Sequence, residues 1–304
     1  MALDSYKVNM KRIFFSGVCT ALVTPFKKGE SLEIDFPALE RILDFQINSG
    51  VDALCVIGTT GEASTLSFDE KIAVVKFTTK FVKKRVHLIF GIGGNNPSEI
   101  VKLGKAVKEI CPHASVMVTP PYYNKCTQQA SVMYFHLIAN ALRMPLIVYN
   151  VPGRAGMNLE PNTLKQICQN KYIAGIKEAS GNMTQIIETV RLCNVPVYCG
   201  DDALALPCYA IGCSGVISVA SNVRPIETQD IWINRFNFNA NKLFHNELPY
   251  YKALFCEINP SPVKYACHLL GLSSPLVRSP LTQLSKQSII DYGFRDLFKS
   301  TRNR

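Results

Sequence analysis

A strand–loop–helix unit, repeated seven times and followed by an eighth strand segment that ends at residue 222, constrains this chain more than any other feature. The first copy is GVCTALVTPF (17–26), rich in β-branched residues and stopped by Pro25. Residues 36–48 follow it, with Leu39, Ile42, Leu43 and Ile47 on one helical stripe that Ser49-Gly50 ends. The second copy is VDALCVIG, the loop TTGEASTLS and a helix over about 69–83. The third is VHLIFGIG, with a helix opened by Asn96-Pro97-Ser98-Glu99. The fourth is ASVMVTPP, a loop with two tyrosines, and a helix over 128–142. The fifth, PLIVYNVP, precedes a helix beginning near Pro161, and the sixth, YIAGIKEAS, one over about 183–193. The seventh, VPVYCGDD, leads into a short apolar helix at 203–211, and the eighth is GVISVASN.

Strands apolar on both faces belong in a parallel sheet covered by helices. An open doubly wound sheet is the rival. Steady eightfold alternation, with no dinucleotide fingerprint in the first unit, favours a closed (β/α)8 TIM barrel. Gly91-Ile92-Gly93-Gly94 lacks the full glycine spacing of a nucleotide loop and reads as tight turning. The expected organisation is an N-terminal tail over 1–14, a catalytic barrel over 15–225 and a C-terminal helical segment over 226–304. Within the last, 248–270 reads as helix broken by Pro260 and Pro262. Met10 offers an alternative start.

Composition removes several classes of function. No apolar run approaches the roughly 20 residues of a membrane span, and MALDSYKVNMKR lacks a signal-peptide core. Eleven cysteines, an odd number with no CxxC pair, point to reduced thiols in a cytoplasmic protein. The five histidines show no metal-ligand spacing, so no metal site and no cofactor is expected. The net charge of +10 is dispersed and lacks an aromatic platform, which argues against nucleic acid and for a surface that draws in anionic substrates.

Active sites of this fold gather at the C-terminal ends of the strands. There the chain places Thr59, Thr60 and Glu62; Tyr122 and Tyr123; Tyr149 and Arg154; Lys177; Gly200 and Asp201; and Ser218 and Ser221. Taken alone, Lys177 reads more readily as a strand-end lysine reaching water. Desolvated among Ile, Ala and Gly, it becomes an amine nucleophile suited to Schiff-base chemistry. Such a lysine needs a proton shuttle, and Tyr149 on the preceding strand lies about 4.8 Å across the sheet. Arg154 offers a planar fork for a carboxylate, and Thr60 with neighbouring N–H groups a seat for a second. Asp201-Asp202 reads as a helix cap rather than a metal site.

Assembled, these residues resemble the dihydrodipicolinate synthase/N-acetylneuraminate lyase family of pyruvate-dependent class I aldolases. The similarity runs from about residue 17 to about residue 284. Its motifs are Gly58-Thr59-Thr60-Gly61-Glu62, Pro121-Tyr122-Tyr123-Asn124-Lys125, Tyr149-Asn150-Val151-Pro152-Gly153-Arg154 and Gly175-Ile176-Lys177-Glu178-Ala179-Ser180-Gly181-Asn182. Gly200-Asp201-Asp202, Gly215-Val216-Ile217-Ser218-Val219, Lys252-Ala253-Leu254-Phe255 and Asn259-Pro260-Ser261-Pro262-Val263-Lys264 add to them.

The resemblance implies an imine between Lys177 and pyruvate, with Tyr149, Thr59 and Tyr123 as proton relay and Tyr123 reaching into a neighbouring subunit. It implies that Thr60 holds the pyruvate carboxylate and that Gly200 and Ile217 line the site with backbone groups. The double threonine and Arg154 resemble the synthase branch, where the arginine would bind L-aspartate-4-semialdehyde and the product would be 4-hydroxy-tetrahydrodipicolinate, on the diaminopimelate route to lysine. A sister aldolase acting on a sialic acid or a 2-keto-3-deoxy sugar acid is the alternative. Family members are commonly homotetramers, dimers of dimers. Cys126 and Ile92 depart from the usual pattern, and residues 222–247 match it poorly. Positions resembling the lysine-effector site are Ala63, Ser64, Phe68, Lys71, Asn95, Glu99 and Tyr122. Phe68 and Lys71 stand where lysine-inhibited relatives often carry histidine, so feedback inhibition is expected to be weak or absent.

Overall fold

The computed structural model describes residues 14–299, so the expected tail lies outside the described residues apart from Phe14. Eight strands run β1 Gly17–Ala21, β2 Ala53–Val56, β3 His87–Gly91, β4 Ser115–Val118, β5 Leu146–Asn150, β6 Ile173–Glu178, β7 Val197–Cys199 and β8 Gly215–Ser218. Each pairs in parallel with the next, and β8 pairs with β1, closing the barrel. The chain is a (β/α)8 barrel with a C-terminal helical part, as its repeat pattern requires.

The connecting helices are α1 Phe36–Asn48, α2 Phe68–Val82, α3 Pro97–Ile110, α4 Gln128–Leu142, α5 Pro152–Ala155, α6 Pro161–Ile167, α7 Met183–Leu192 and α8 Ala205–Ala210. Local chemistry sets where they start. Asp35, Asn96, Thr127 and Asn182 each accept a backbone N–H of the first turn, and Ser67 with Glu70 forms a full capping box on α2. The single turn α5 has no counterpart in the sequence reading: Pro152 opens it and Gly156, at φ 67°, closes it at once. It carries Arg154.

After β8, α9 Pro225–Ile233 packs on β1, and α10 Asn239–Leu254, α11 Ser261–Leu269, α12 Lys286–Asp291 and α13 Phe294–Leu297 complete the chain. The helix expected over 248–270 divides differently. α10 begins well before it and holds Pro249 in its interior, while Pro262 sits in the first turn of α11, where its missing N–H costs no helical bond. The segment between them carries Asn259 back to the mouth of the barrel.

Register fixes which side chains enter the barrel, because paired residues of neighbouring strands share a face. Ile217, Cys19 and Ala53 align, as do Tyr149, Lys177 and Tyr198. Nearly every strand residue is buried, since helices cover the outer face while side chains fill the interior. Gly91 marks one close approach: a Cβ there would lie 2.6 Å from the carbonyl oxygen of Ile57. All eleven cysteines are free thiols. No helix among the described residues is long and apolar enough to cross a membrane.

Candidate active site

Lys177 and Tyr149 meet inside the barrel. They are register partners on β6 and β5, 5% and 6% exposed, and the lysine Nζ stands 4.1 Å from the centroid of the tyrosine ring. Because side chains alternate, the next pair, Asn150 and Glu178, faces the other way. There Asn150 Nδ2 donates to both carboxylate oxygens of Glu178, at 3.1 and 3.0 Å, and the Ser180 N–H donates at 2.9 Å. Burial raises the Glu178 carboxyl above the usual range, against the pull of those donors. The Lys177–Tyr149 pair in front thus has a hydrogen-bonded pair behind it, which limits how far the two strands can slide.

Gly200 follows β7 directly and lies against the lysine. A Cβ at this position would sit 2.6 Å from Ala179 Cβ and 3.1 Å from Lys177 Cε, so a side chain here would displace Ala179 and crowd the lysine. Cys19 and Cys55 also lie within the field of Lys177. Burial nevertheless dominates both thiols, raising Cys55 to about 11.

A cavity of about 680 Å³ opens at the C-terminal mouth of the barrel, lined in part by Thr59, Tyr149, Arg154 and Asn259. Thr60 lies buried beside it, its Oγ1 accepting from Asn259 Nδ2 at 3.0 Å. The backbone oxygen of Asn259 accepts from Arg154 Nη2 at 3.2 Å. Asn259 therefore joins the two expected carboxylate anchors, and the sequence reading assigned it no role. Arg154 forms no ion pair among the described residues, so its charge remains available to a ligand.

The other expected residues divide. Ile217 points inward from β8 and is fully buried. Tyr123 is not among the cavity residues: it is 91% exposed, with φ 67°. Ala63, Ser64, Phe68, Lys71, Asn95, Glu99 and Tyr122 line the outer part of the same cavity, the Tyr122 N–H donating to Asn95 Oδ1 at 2.8 Å. Burial lowers the pKa of Lys71. Asp201 caps the short 3₁₀ turn that leads into α8 by accepting from Ala203 N, and Asp202 accepts from the N–H groups of Val219 and Ala220, tying the end of β7 to that of β8.

The model of the dihydrodipicolinate synthetase family matches residues 14–291. The chain belongs to this family. Among curated relatives, the 4-hydroxy-tetrahydrodipicolinate synthase of Caldicellulosiruptor saccharolyticus is 41% identical over 290 residues, covering 92% of this chain and 97% of that one. Among solved structures, dihydrodipicolinate synthase from Aquifex aeolicus superposes with a TM-score of 0.88 at 37% identity, covering 92% of this chain and 96% of that one. The chloride-inhibited family member from Acinetobacter baumannii, solved in complex with pyruvate, gives 0.87 at 34% identity, covering 92% and 99%.

Proposed function

We propose that this chain condenses pyruvate with L-aspartate-4-semialdehyde to form 4-hydroxy-tetrahydrodipicolinate, in the diaminopimelate route of lysine biosynthesis. The observation that carries the reading is the buried Lys177 amine over the face of Tyr149 at the strand ends. The naming of the curated relative and the pyruvate complex of the Acinetobacter baumannii structure support it.

In this reading the Lys177 Nζ attacks the pyruvate carbonyl carbon, and the carbinolamine loses water to give an imine. Tyr149, Thr59 and Tyr123 of a neighbouring subunit carry the protons that this step consumes and returns. Loss of a methyl proton gives an enamine, whose carbon bonds to the aldehyde carbon of the second substrate. Attack by the amino group of that substrate on the imine carbon closes the ring and frees Lys177. Thr60 holds the pyruvate carboxylate, Arg154 that of the semialdehyde, and Gly200 and Ile217 present backbone groups. The aldehyde half of a sister aldolase's sugar acid bears hydroxyls and no second carboxylate, so it has no use for the Arg154 fork, which disfavours the sister aldolases.

The outward Tyr123 fits an assembly in which it completes a neighbour's site, and we read the protein as a homotetramer built as a dimer of dimers. Free thiols throughout suit a reducing compartment, here the cytoplasm. Effector positions with Phe68 and Lys71 make a degenerate lysine site. Borohydride reduction with pyruvate, followed by peptide mass spectrometry, tests the mechanism: the adduct is expected on Lys177, and folded protein that traps none overturns the reading.

A further inference from the structure

The loop after β2 carries Thr59 and Thr60, and its shape is imposed from elsewhere in the chain. Glu62 closes it with a left-handed backbone, φ 53°, uncommon for a residue other than glycine. Its N–H donates to the Thr59 carbonyl at 3.0 Å. Its carboxylate, 2% exposed, accepts from the fully buried ammonium of Lys264 on α11, and its other oxygen accepts from the backbone N–H of Arg278 at 2.9 Å. Lys264 also donates to the carbonyl of Leu276 at 2.7 Å and lies 4.0 Å over the ring of Phe26. The segment that supplies Lys264 supplies Asn259 to Thr60 as well.

We propose that Glu62 and Lys264 are positioning residues of the reaction, their buried ion pair holding the turn of Thr59 and Thr60 in the shape that seats the pyruvate carboxylate. This rests on the function proposed above. Stability alone is a poor reason for such a pair, because desolvating two charges offsets most of their attraction, and neutral groups of similar volume commonly do as well. What the pair supplies is geometry: a fixed point for a turn that has no regular structure of its own.

The groups facing Lys264 are Glu62 from the β2 loop, Arg278 from the C-terminal segment, Cys267 from its own helix and the Phe26 ring. The guanidinium of Arg278 is directed to Glu70 and the carbonyl of Leu32, so Glu62 is the carboxylate that serves Lys264. Burial pulls Lys264 down to about 8 in spite of Glu62, and it pushes the Cys267 thiol up to about 12.

Steady-state kinetics on the full chain test this. Glu62→Gln, which keeps the shape and removes the charge, is expected to raise the KM for pyruvate about tenfold while that for the semialdehyde stays within about twofold. Lys264→Met moves the same way. Arg278→Met keeps its backbone N–H on Glu62 and is expected to lower the melting temperature without changing the pyruvate KM. The double variant Glu62→Gln with Lys264→Met recovers the melting temperature lost by the single variants and retains the raised KM. In the unaltered protein the pyruvate KM climbs as pH rises through about 8, whereas Lys264→Met shows no such climb.

An unchanged pyruvate KM in Glu62→Gln, or a double variant that regains both stability and KM, makes the pair scaffold only and overturns the inference. Should these variants fail to fold, Glu62→Asp, which keeps the charge and draws it back from Lys264, is expected to raise the pyruvate KM alone, and an unchanged pyruvate KM there overturns the inference equally. Unaltered protein that traps no pyruvate on Lys177 would instead defeat the proposed function.

Discussion

Tyr149 and Lys177 face each other across β5 and β6 in register, the lysine Nζ 4.1 Å from the centre of the tyrosine ring. The ring and the hydroxyl of Tyr149 then have separable tasks. The ring packs against the lysine Nζ, and in the proposed reaction the hydroxyl serves proton transfer. Tyr149→Phe keeps the first and removes the second, so kcat is expected to fall by about 10² or more while pyruvate is still trapped on Lys177, more slowly. Rapid-quench borohydride trapping measured beside kcat separates the two. An unchanged kcat would remove Tyr149 from the relay.

Arg154 stands on a single helical turn, with one guanidinium nitrogen on the Asn259 carbonyl at 3.2 Å. Lysine retains the charge and loses the fork. Arg154→Lys is expected to lower kcat/KM for the semialdehyde by about 10²-fold and to leave pyruvate trapping intact, the signature of a residue that binds only the second substrate. An equal loss for both substrates would place the arginine at the pyruvate carboxylate instead.

The barrel was legible because it is written locally. Each strand is an apolar run and each helix a 3.6-residue stripe, and chain order equals spatial order, so Tyr149 and Lys177 could be placed on neighbouring strands by counting. The contacts that finish the site are not local. Asn259 reaches Thr60 across 199 positions and Lys264 reaches Glu62 across 202, and no periodicity links them. The motif Asn259-Pro260-Ser261-Pro262-Val263-Lys264 was visible as a family resemblance, but its partner became visible only in three dimensions. Arg154 shows the intermediate case: its type marked it out, whereas the turn that aims it depends on Pro152 and Gly156 lying too close together for a longer helix.

Glu70 gives an acid-stability signature that does not depend on catalysis. Its hydrogen bonds and charge contact with Arg278 hold its carboxyl at about 2. A depressed folded-state pKa means that the contribution is fully present above the unfolded value of about 4.3 and is lost as pH falls through the folded one. Urea midpoints of the unaltered protein should therefore decline between about pH 4.5 and about pH 2 more steeply than those of Glu70→Gln. The difference is expected to be small, because the pair is partly exposed and screened by solvent. Parallel curves would show that Glu70 is not held by Arg278 in solution.

Lys71 lines the cavity and is expected to govern which ligands its outer part accepts. It is half-buried, and no carboxylate among the described residues forms an ion pair with it, so its ammonium presents an uncompensated charge to any ligand. A second ammonium placed about 4 Å away meets a repulsion on the order of 4 kcal/mol near a protein surface, enough to weaken binding by about a thousandfold. L-Lysine below about 1 mM is thus expected to leave the initial rate unchanged. Lys71→Met removes the repulsion while keeping the apolar stem, and lysine inhibition should then emerge or strengthen. Strong sub-millimolar inhibition of the unaltered protein would mean that Glu99 or another acceptor neutralises the bound ligand despite Lys71. An unaltered protein and a variant equally insensitive would place the loss of feedback at Phe68 instead.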